Sequence, residues 1–275
     1  MYPEVAAEIL GMDPEKITLR ASDPDGPPLM GDGTIGSRSM MAQGGAVAMA
    51  VREAVRKGTD LAAKALEVAA TDVEFSDGSY RVKGTDLTIR FEEVVRRYAA
   101  ASPHPLDSRG DLPQPRSYPG GAHVAEVEID PETGEVKLLR YTAVDDCGRI
   151  INHTLLDGQI HGGIVQGIGQ AMGEHALYDR ETGQLVAGTF GDYTMPRADE
   201  QPAIHLYDNS VPSPGNPLGV KGAGEAGTTG AVPAVANAVI DALRPLGVHH
   251  LDFPFSSARV WAAIAAATAG RRPGA

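Results

Sequence analysis

The sequence predicts an α+β fold in which helices and β-hairpins are mixed. Helical apolar spacing and strand–turn–strand patterns both occur along the 275 residues. They do not follow the regular β-α-β order that indicates a doubly wound parallel sheet. Glycine (33 residues) and proline (20 residues) cluster in loops between these patterned segments. Elaborate loops around a site are therefore expected.

Residues 1–120 are predicted to form a first domain, made mostly of helices. Gly11 marks the end of the first helix, and Asp77-Gly78 between two β-rich runs is typical of a hairpin turn. A stretch with five prolines, residues 101–120, separates this part from the rest. The expected elements are a helix at 4–10, a strand at 17–20, helices at 39–56 and 61–68, hairpin strands at 73–75 and 80–82, and a helix at 91–100.

Residues 121–275 are predicted to form the second domain. Its strongest signal is a hairpin, because two β-rich runs flank the turn cluster Asp130–Gly134. An apolar stretch with several glycines predicts a helix that packs its backbone closely against a neighbour. The expected elements are hairpin strands at 123–129 and 135–143, a helix at 155–172, a hairpin at 178–185, a strand at 203–207, and helices at 231–243 and 257–269.

The composition excludes several classes of protein. A formal net charge of −12 without a run of Lys or Arg argues against a nucleic-acid surface. No apolar stretch reaches the roughly 18 residues that a membrane span needs, and the N-terminus lacks a signal-peptide pattern. The single cysteine, Cys147, excludes an internal disulfide and a cysteine-ligated iron–sulfur or zinc site made by this chain alone. We expect a cytoplasmic protein.

The first candidate binding segment covers residues 32–39, directly before the predicted long helix. Gly36, Ser37, Arg38 and Ser39 offer backbone N–H groups, two hydroxyls and one guanidinium. These are the groups expected around a phosphate or a polar heterocycle. The alternative is an ordinary helix N-cap made by one of the serines. The two interpretations are compatible.

The second candidate segment is the apolar helix predicted over 155–172, which carries Gln159, Gln166 and Gln170. Gln159 and Gln166 lie about two turns apart and share a face. A buried amide without partners costs about 1–3 kcal/mol, so each glutamine either bonds to the backbone or reaches a polar ligand. The histidines lack metal-ligand spacing. We expect them to be surface or capping residues, and no metal site is predicted.

The third candidate segment, Gly219–Gly230, holds the carboxylate of Glu225 among five glycines. Glycine permits positive φ and the close approach of a bulky ligand, and a carboxylate on such a loop is a candidate general base. The helix predicted from residue 231 adds aligned N–H groups that favour an anion. The alternative is a surface glycine loop with a solvated glutamate.

Taken together, these segments resemble the molybdenum-binding large subunit of the xanthine dehydrogenase, aldehyde oxidoreductase and aerobic carbon monoxide dehydrogenase family. The motifs run in family order over nearly the whole chain. They are GTIGSRS (33–39), VAEVEIDPETG (124–134), VDDCG (144–148), IN (151–152), GQ (158–159), GIVQGIG (163–169), DYTMP (192–196) and KGAGEAG (221–227).

The resemblance implies roles for these residues. Glu225 matches the family's general base, which deprotonates the water-derived oxygen at molybdenum, and Gln166 matches a glutamine that contacts the cofactor, with Gly224 in the same site. Residues 36–39 match the pterin-binding loop. Residues 1–120 would thus hold the pterin loop, and 121–275 the Gln and Glu motifs. The implied cofactor is molybdopterin with molybdenum, usually as the cytosine dinucleotide in bacterial members.

The resemblance also implies partners, because it covers only the C-terminal part of that subunit. The N-terminal half is expected as a separate chain, and iron–sulfur clusters and FAD are expected only on partner subunits. The implied reaction is oxidative hydroxylation of a small molecule, an aldehyde or an N-heterocycle, with oxygen from water. Two alternatives stay open: a subunit like that of carbon monoxide dehydrogenase, and a non-catalytic fragment or scaffold half.

Overall fold

The computed structural model describes residues 1–21, 23–26, 33–113 and 116–269. These residues include helices and two three-stranded sheets, so the predicted α+β class is confirmed. The chain forms two compact units. The first contains Met1–Tyr118, Gly148–Asn152 and Pro212–Gly222. The second contains the rest, namely Pro119–Cys147, His153–Val211 and Ala223–Ala275.

The units are not continuous in the sequence, because two short later segments belong to the first. The functional division of the chain near residue 120 stays a prediction.

Among the described helices, none is both long and apolar enough to cross a membrane.

The first unit begins with helix α1, Tyr2–Leu10, which confirms the helix expected there. Its end is set by Gly11, which adopts a left-handed conformation with φ 60°. A six-residue π-helical segment, Ser39–Gly44, then leads directly into helix α2, Gly45–Leu66. Val5, Met41 and Ala48 are buried where these helices pack together.

Helix α2 is a single helix, so the expectation of two helices at 39–56 and 61–68 is wrong. Gly58 is a weak interruption, since glycine costs only about 1 kcal/mol relative to alanine inside a helix. It is also used in packing, because a Cβ there would lie 2.6 Å from Cζ of Tyr80. The Tyr80 hydroxyl donates a hydrogen bond to the Val55 carbonyl at 3.0 Å.

A small antiparallel sheet completes the first unit. Its strands are β1 (Val73–Ser76), β2 (Ser79–Val82) and β3 (Thr88–Arg90), followed by helix α3 (Phe91–Arg97). The hairpin predicted at 73–82 is confirmed. The strand expected at 17–20 is wrong: a strand exists through pairing, and no described segment pairs with those residues.

The second unit is built on a long hairpin, β4 (Gly120–Ile129) and β5 (Val136–Asp146), as predicted. Strand β6 (Ile204–Asp208) joins this sheet parallel to β5. The hairpin expected at 178–185 is reduced to one bridge, between Tyr178 and Leu185. The predicted turn does form, since Gly183 N–H bonds to the Asp179 carbonyl at 3.0 Å. Both flanking residues are exposed, so little apolar burial extends the pairing.

Three helices complete the second unit: α4 (His153–Met172), α5 (Ala226–Leu243) and α6 (Ser257–Ala269). The helices predicted at 155–172, 231–243 and 257–269 are confirmed, although α5 begins five residues earlier than expected. Helix α5 packs against both α4 and β4. Tyr141, Ile164, Val235, Val239 and Leu243 are completely buried among them.

Candidate functional site

The loop before α2 bends through two successive residues in the left-handed region. Gly36 has φ 60° and Ser37 has φ 59°, and Arg38 returns to right-handed geometry with φ −87° and ψ −4°. A serine with positive φ is uncommon. A left-handed residue followed by a right-handed one turns successive N–H groups toward one side, which makes a concavity suited to anions.

This loop is held by its own side chains and by a second glycine-rich segment of the first unit. Arg38 Nε donates to the Gly33 carbonyl at 3.0 Å, and the Thr34 and Ser39 hydroxyls lie 2.7 Å apart. Gly222 packs against Ser37, because a Cβ at position 222 would lie 2.8 Å from the serine Cβ. The loop conformation therefore depends on glycine at 222.

One side of the loop has no neighbour among the described residues. A Cβ built on Gly33 or Gly36 meets no described atom within 4 Å. The N-cap position of the following segment belongs to Arg38, whose side chain makes no capping bond, so the alternative of a serine N-cap is not realised. The hydroxyls, the guanidinium and the turned N–H groups form a donor set that matches phosphate oxygens.

In the second unit, Glu225 occupies the N-cap position of α5. Its backbone carbonyl accepts the hydrogen bond from Thr229 N–H at 3.0 Å, and its side chain is exposed without making a capping bond. The carboxylate thus stands at a helix N-terminus, where the partial positive charge of the helix favours an anion. Because its main chain belongs to a helix end, the backbone of Glu225 is fixed more firmly than that of a residue on an irregular loop.

Two of the three glutamines on α4 reach the beginning of α5. Gln159 Nε2 donates to the Gly224 carbonyl at 2.8 Å, so the backbone-bonding interpretation holds for Gln159. Gln166 is exposed, and its Oε1 lies 3.3 Å from the Thr228 hydroxyl. That hydroxyl makes a shorter bond of 3.0 Å to the Gly163 carbonyl. One hydroxyl hydrogen cannot fully serve both acceptors, so Gln166 keeps hydrogen-bonding capacity.

Glycines bring α4 and α5 close enough for these contacts. A Cβ at Gly163 would lie 3.0 Å from Thr228 N, and one at Gly167 would lie 2.6 Å from the Ala231 Cβ. A Cβ at Gly227, on α5, would lie 2.8 Å from Ile164 N. The close backbone packing predicted for this helix is therefore present. It places Gln159, Gln166, Gly224 and Glu225 together at the N-terminal end of α5.

A buried polar cluster near the same helix was not foreseen. His123 on β4 was expected to be a surface or capping residue, which is wrong, because its side chain is only 4% exposed. Its Nδ1 lies 2.8 Å from the Tyr141 hydroxyl, and its Nε2 lies 3.2 Å from Asp145 Oδ2. The ring also lies against Gly230 of α5. The sequence holds only an indirect signal for this cluster, because the small residues that face it lie at distant positions along the chain.

Other features of the described residues are separate from these groups. Within the ranges that the structure describes, no set of three or more His, Cys, Asp or Glu side chains is arranged to hold a metal ion. A cavity of about 730 Å³ in the second unit is lined by β5, the C-terminal end of α4 and residues 194–202. Neither Gln166 nor Glu225 lines it.

The first unit carries a loop with several hydrogen-bond donors, and the second carries the polar end of α5. Comparison with known families identifies the domain, since residues 1–202 match the molybdopterin cofactor-binding domain. The chain belongs to this family, which confirms the resemblance seen in the sequence.

Individual relatives agree with the family. The carbon monoxide dehydrogenase large chain of Hydrogenophaga pseudoflava is 36% identical over 96% of this chain and 33% of its own length. The gamma subunit of the 6-hydroxypseudooxynicotine dehydrogenase complex of Paenarthrobacter nicotinovorans is 36% identical over 94% of the chain and 33% of its own. The chain therefore spans about a third of the relatives it matches.

A solved structure agrees as well. The reconstituted carbon monoxide dehydrogenase from Oligotropha carboxidovorans superposes with a TM-score of 0.88 at 34% identity, covering 98% of this chain and 34% of that one. The match extends over both units, so the α+β architecture described above is that of a molybdenum cofactor-binding domain.

Proposed function

We propose that this chain is the C-terminal, molybdopterin-binding part of the large subunit of a molybdenum hydroxylase. The whole enzyme would hydroxylate an aldehyde or an N-heterocycle with oxygen derived from water. The observation that carries the proposal is the exposed carboxylate of Glu225 at the N-terminus of α5, in a chain of the molybdopterin-binding family. The functional division follows: residues 1–120 hold the pterin loop, and residues 121–275 hold the Gln and Glu motifs.

The loop before α2 would hold the cofactor through Gly36, Ser37, Arg38 and Ser39. Hydroxyls, a guanidinium and turned backbone N–H groups suit the phosphate and the heterocycle of a molybdopterin, for which we propose the cytosine dinucleotide form. Gln166 and the backbone of Gly224 would contact the same cofactor. When bound, the molybdenum cofactor supplies the two-electron redox chemistry, which no side chain of this chain offers.

Glu225 would act as the general base. Its exposed side chain can reach a ligand, and its backbone is fixed by the first turn of α5, where the Thr229 N–H bonds to the Glu225 carbonyl. A positioned carboxylate that accepts a proton in the transition state contributes roughly 10²–10⁴-fold to the rate.

The proposed partners follow from what this chain lacks. Its one cysteine, Cys147, is buried, and a cysteine-ligated iron–sulfur cluster needs several. Electrons from the substrate would leave through partner subunits that carry iron–sulfur clusters and FAD. We place the assembly in the cytoplasm, where such clusters and a single cysteine fit a reducing environment.

A second candidate activity is the oxidation of carbon monoxide. It is supported by the similarity to carbon monoxide dehydrogenase in both sequence and structure, at 36% identity and a TM-score of 0.88. The two activities differ in substrate and would use the same cofactor loop and helix end. Turnover of the assembled enzyme with carbon monoxide, aldehydes and N-heterocycles, each with the same electron acceptor, distinguishes them.

The decisive test of the proposal is Glu225→Gln in the assembled enzyme. The substitution keeps the shape and hydrogen-bonding capacity of the side chain but removes the base. We expect full molybdenum content and a loss of turnover of roughly 10²–10⁴-fold. Glu132→Gln, which changes another exposed glutamate in the turn between β4 and β5, is the matched control and should turn over normally.

Gln166→Ala tests the cofactor contact separately. Because its proposed contact is with the cofactor, this variant should lose molybdenum and turnover in parallel. If Glu225→Gln turned over like the parent at full molybdenum occupancy, Glu225 would not be the base. An assembled complex without molybdenum would instead support a non-catalytic scaffold.

A further inference from the structure

We propose that His123 is a positioning residue for Glu225, which it holds through the backbone of α5. Tyr141 and Asp145 fix the imidazole, and the imidazole supports the first turns of the helix that begins after Glu225. The inference rests on the proposed role of Glu225 as the base, and it adds to the enzyme three residues that no ligand contact would reveal.

The three side chains form one buried network on the β4–β5 hairpin. His123 pairs across the strands with Ala143, so Tyr141 and Asp145 are its two diagonal neighbours on β5. The His123 and Asp145 side chains are 4% and 8% exposed, and Tyr141 is fully buried. The imidazole meets the tyrosine ring edge to face at 88°. Both ring nitrogens thus have a partner, as buried polar groups require.

The partners fix the orientation of the imidazole. A carboxylate only accepts hydrogen bonds, so the Nε2–H of His123 donates to Asp145. Burial and the charge of Asp145 raise the pKa of Tyr141 well above its usual value, so its hydroxyl keeps its proton and lies within hydrogen-bond distance of Nδ1. With both nitrogens bonded in opposite directions, the ring cannot turn without leaving a buried group unsatisfied.

Two glycines make room for this network. A Cβ at Gly121, directly across from Asp145, would lie 3.2 Å from the aspartate Cγ and closer still to Oδ1. A Cβ at Gly230, in the second turn of α5, would lie 2.6 Å from Cγ of His123. The imidazole is therefore packed directly on the α5 backbone, which is possible only where the helix has no side chain.

The beginning of α5 needs such support. Its first residues include Gly227, Thr228, Thr229 and Gly230, all of which have low helix propensity. Pro233 lies inside the helix. It lacks the N–H that would bond to the carbonyl four residues earlier, so the ladder is interrupted within the first turns. These turns must be held by neighbouring elements.

Helix α4 and His123 contact the first turns of α5 from two sides. Gly227 packs on α4 near Ile164, and Gly230 packs on the imidazole. The Thr229 N–H bonds to the Glu225 carbonyl, so movement of these turns moves the backbone of Glu225. A misplacement of about 1 Å can reduce a rate by roughly 10²-fold. His123 therefore acts on the carboxylate through helix α5, without contact with the substrate.

The test uses the assembled enzyme with His123→Ala and the milder Tyr141→Phe. Hydrogen exchange at the amides of residues 226–230 reports the helix end, and kcat, KM and molybdenum content report the site. We expect exchange there to become faster by roughly tenfold for His123→Ala and by less for Tyr141→Phe. We expect kcat to fall, by up to roughly 100-fold for His123→Ala, while KM and molybdenum content stay near parent values.

Tyr80→Phe is the matched control, because it also removes one hydroxyl from a fully buried tyrosine that bonds to a single partner. It lies in the first unit, and it should change neither exchange at 226–230 nor kcat. A general loss of stability would make the two tyrosine variants alike. Equal effects of Tyr80→Phe and Tyr141→Phe on kcat would overturn the proposal.

Gly230→Ala supplies a second, independent measurement. Alone, the added methyl meets the His123 ring, so exchange at 226–230 should rise and kcat should fall. In the His123→Ala background the same methyl enters vacated space and improves helix propensity. The double variant should therefore recover part of the kcat lost in His123→Ala, a non-additive result expected of groups in contact. Strictly additive losses would contradict direct support of the α5 backbone by the His123 ring.

The readouts separate this inference from the proposed function. If His123→Ala leaves hydrogen exchange at residues 226–230 unchanged, His123 does not support the beginning of α5. If exchange rises but kcat does not fall, His123 does not position the base. Glu225→Gln could turn over normally while His123→Ala still accelerates hydrogen exchange. In that case Glu225 is not the base, and His123 has only the structural role of supporting α5.

Discussion

At the scale of single residues, the candidate cofactor loop holds backbone geometry that most side chains avoid. Gly36 and Ser37 both have φ near 60°, and the serine pays the larger steric penalty because it has a Cβ. Such strain persists where the surroundings over-determine it, which is common at ligand-binding sites. Here Gly222 supplies that constraint by packing against Ser37.

Gly36→Ala tests the loop at this scale. The position has φ 60° and no described atom within 4 Å of an added Cβ, so a methyl there should cost about 1–2 kcal/mol of backbone strain. Gly84 is a matched control, with φ 74° and equally open surroundings in the same unit. Both variants should lose similar stability in chemical unfolding, but only Gly36→Ala should lower molybdenum content. Equal losses of molybdenum from the two variants would contradict a role of the loop in binding the cofactor.

The same scale shows which site residues the sequence could reveal. Glu225 and the loop residues 36–39 stand in short glycine-rich motifs, where unusual neighbours mark each position. His123 gave no comparable signal, because its partners Tyr141 and Asp145 lie on the next strand and Gly230 lies far along the chain. A buried histidine is recognised only when a fold brings such partners together.

At the scale of elements, the helix pair α4–α5 depends on glycines of two kinds. Gly163 and Gly167, one turn apart on α4, face α5 and allow the backbones to approach. Gly158 and Gly162, also one turn apart, face open space. Only the first pair contributes to the position of Gln166 and Glu225, since those residues lie at the contact between the two helices.

Gly167→Ala and Gly162→Ala should therefore act in opposite directions. At 167 the new Cβ would lie 2.6 Å from the Ala231 Cβ, and overpacking of this kind costs about 1–3 kcal/mol. At 162 it meets nothing within 4 Å, so the gain in helix propensity should add up to about 1 kcal/mol. The free energy of unfolding measures both. A stabilising Gly167→Ala would contradict the close packing.

The elements also show why some features escaped prediction. Local patterns identified the helices and the β4–β5 hairpin, because apolar periodicity and turn residues act over short distances. Strand β6 was expected, but its parallel pairing with β5 joins segments that are far apart, and no local pattern encodes that. The continuity of α2 depends on Tyr80 filling the space at Gly58, which is likewise a long-range contact.

At the scale of the whole molecule, the chain carries only part of what its relatives contain. It covers about a third of the carbon monoxide dehydrogenase large chain, yet it has both the loop donors and the candidate base. Residues 36–39 belong to the first unit, and Gln166 and Glu225 belong to the second. The order of motifs predicted the family, but sequence alone did not reveal that later segments return to the first unit.

The last prediction concerns cofactor retention by the chain as it stands. Produced by itself, it should hold no molybdenum, because binding sites normally bury about 70–90% of a small ligand's surface and the chain spans only 33% of a relative such as the carbon monoxide dehydrogenase large chain. Co-production with a polypeptide that supplies the remaining part of the large subunit should restore metal. Elemental analysis of both preparations measures this, with co-produced Gly36→Ala as the low-occupancy reference. Stoichiometric molybdenum in the isolated chain would show that its own residues enclose the cofactor.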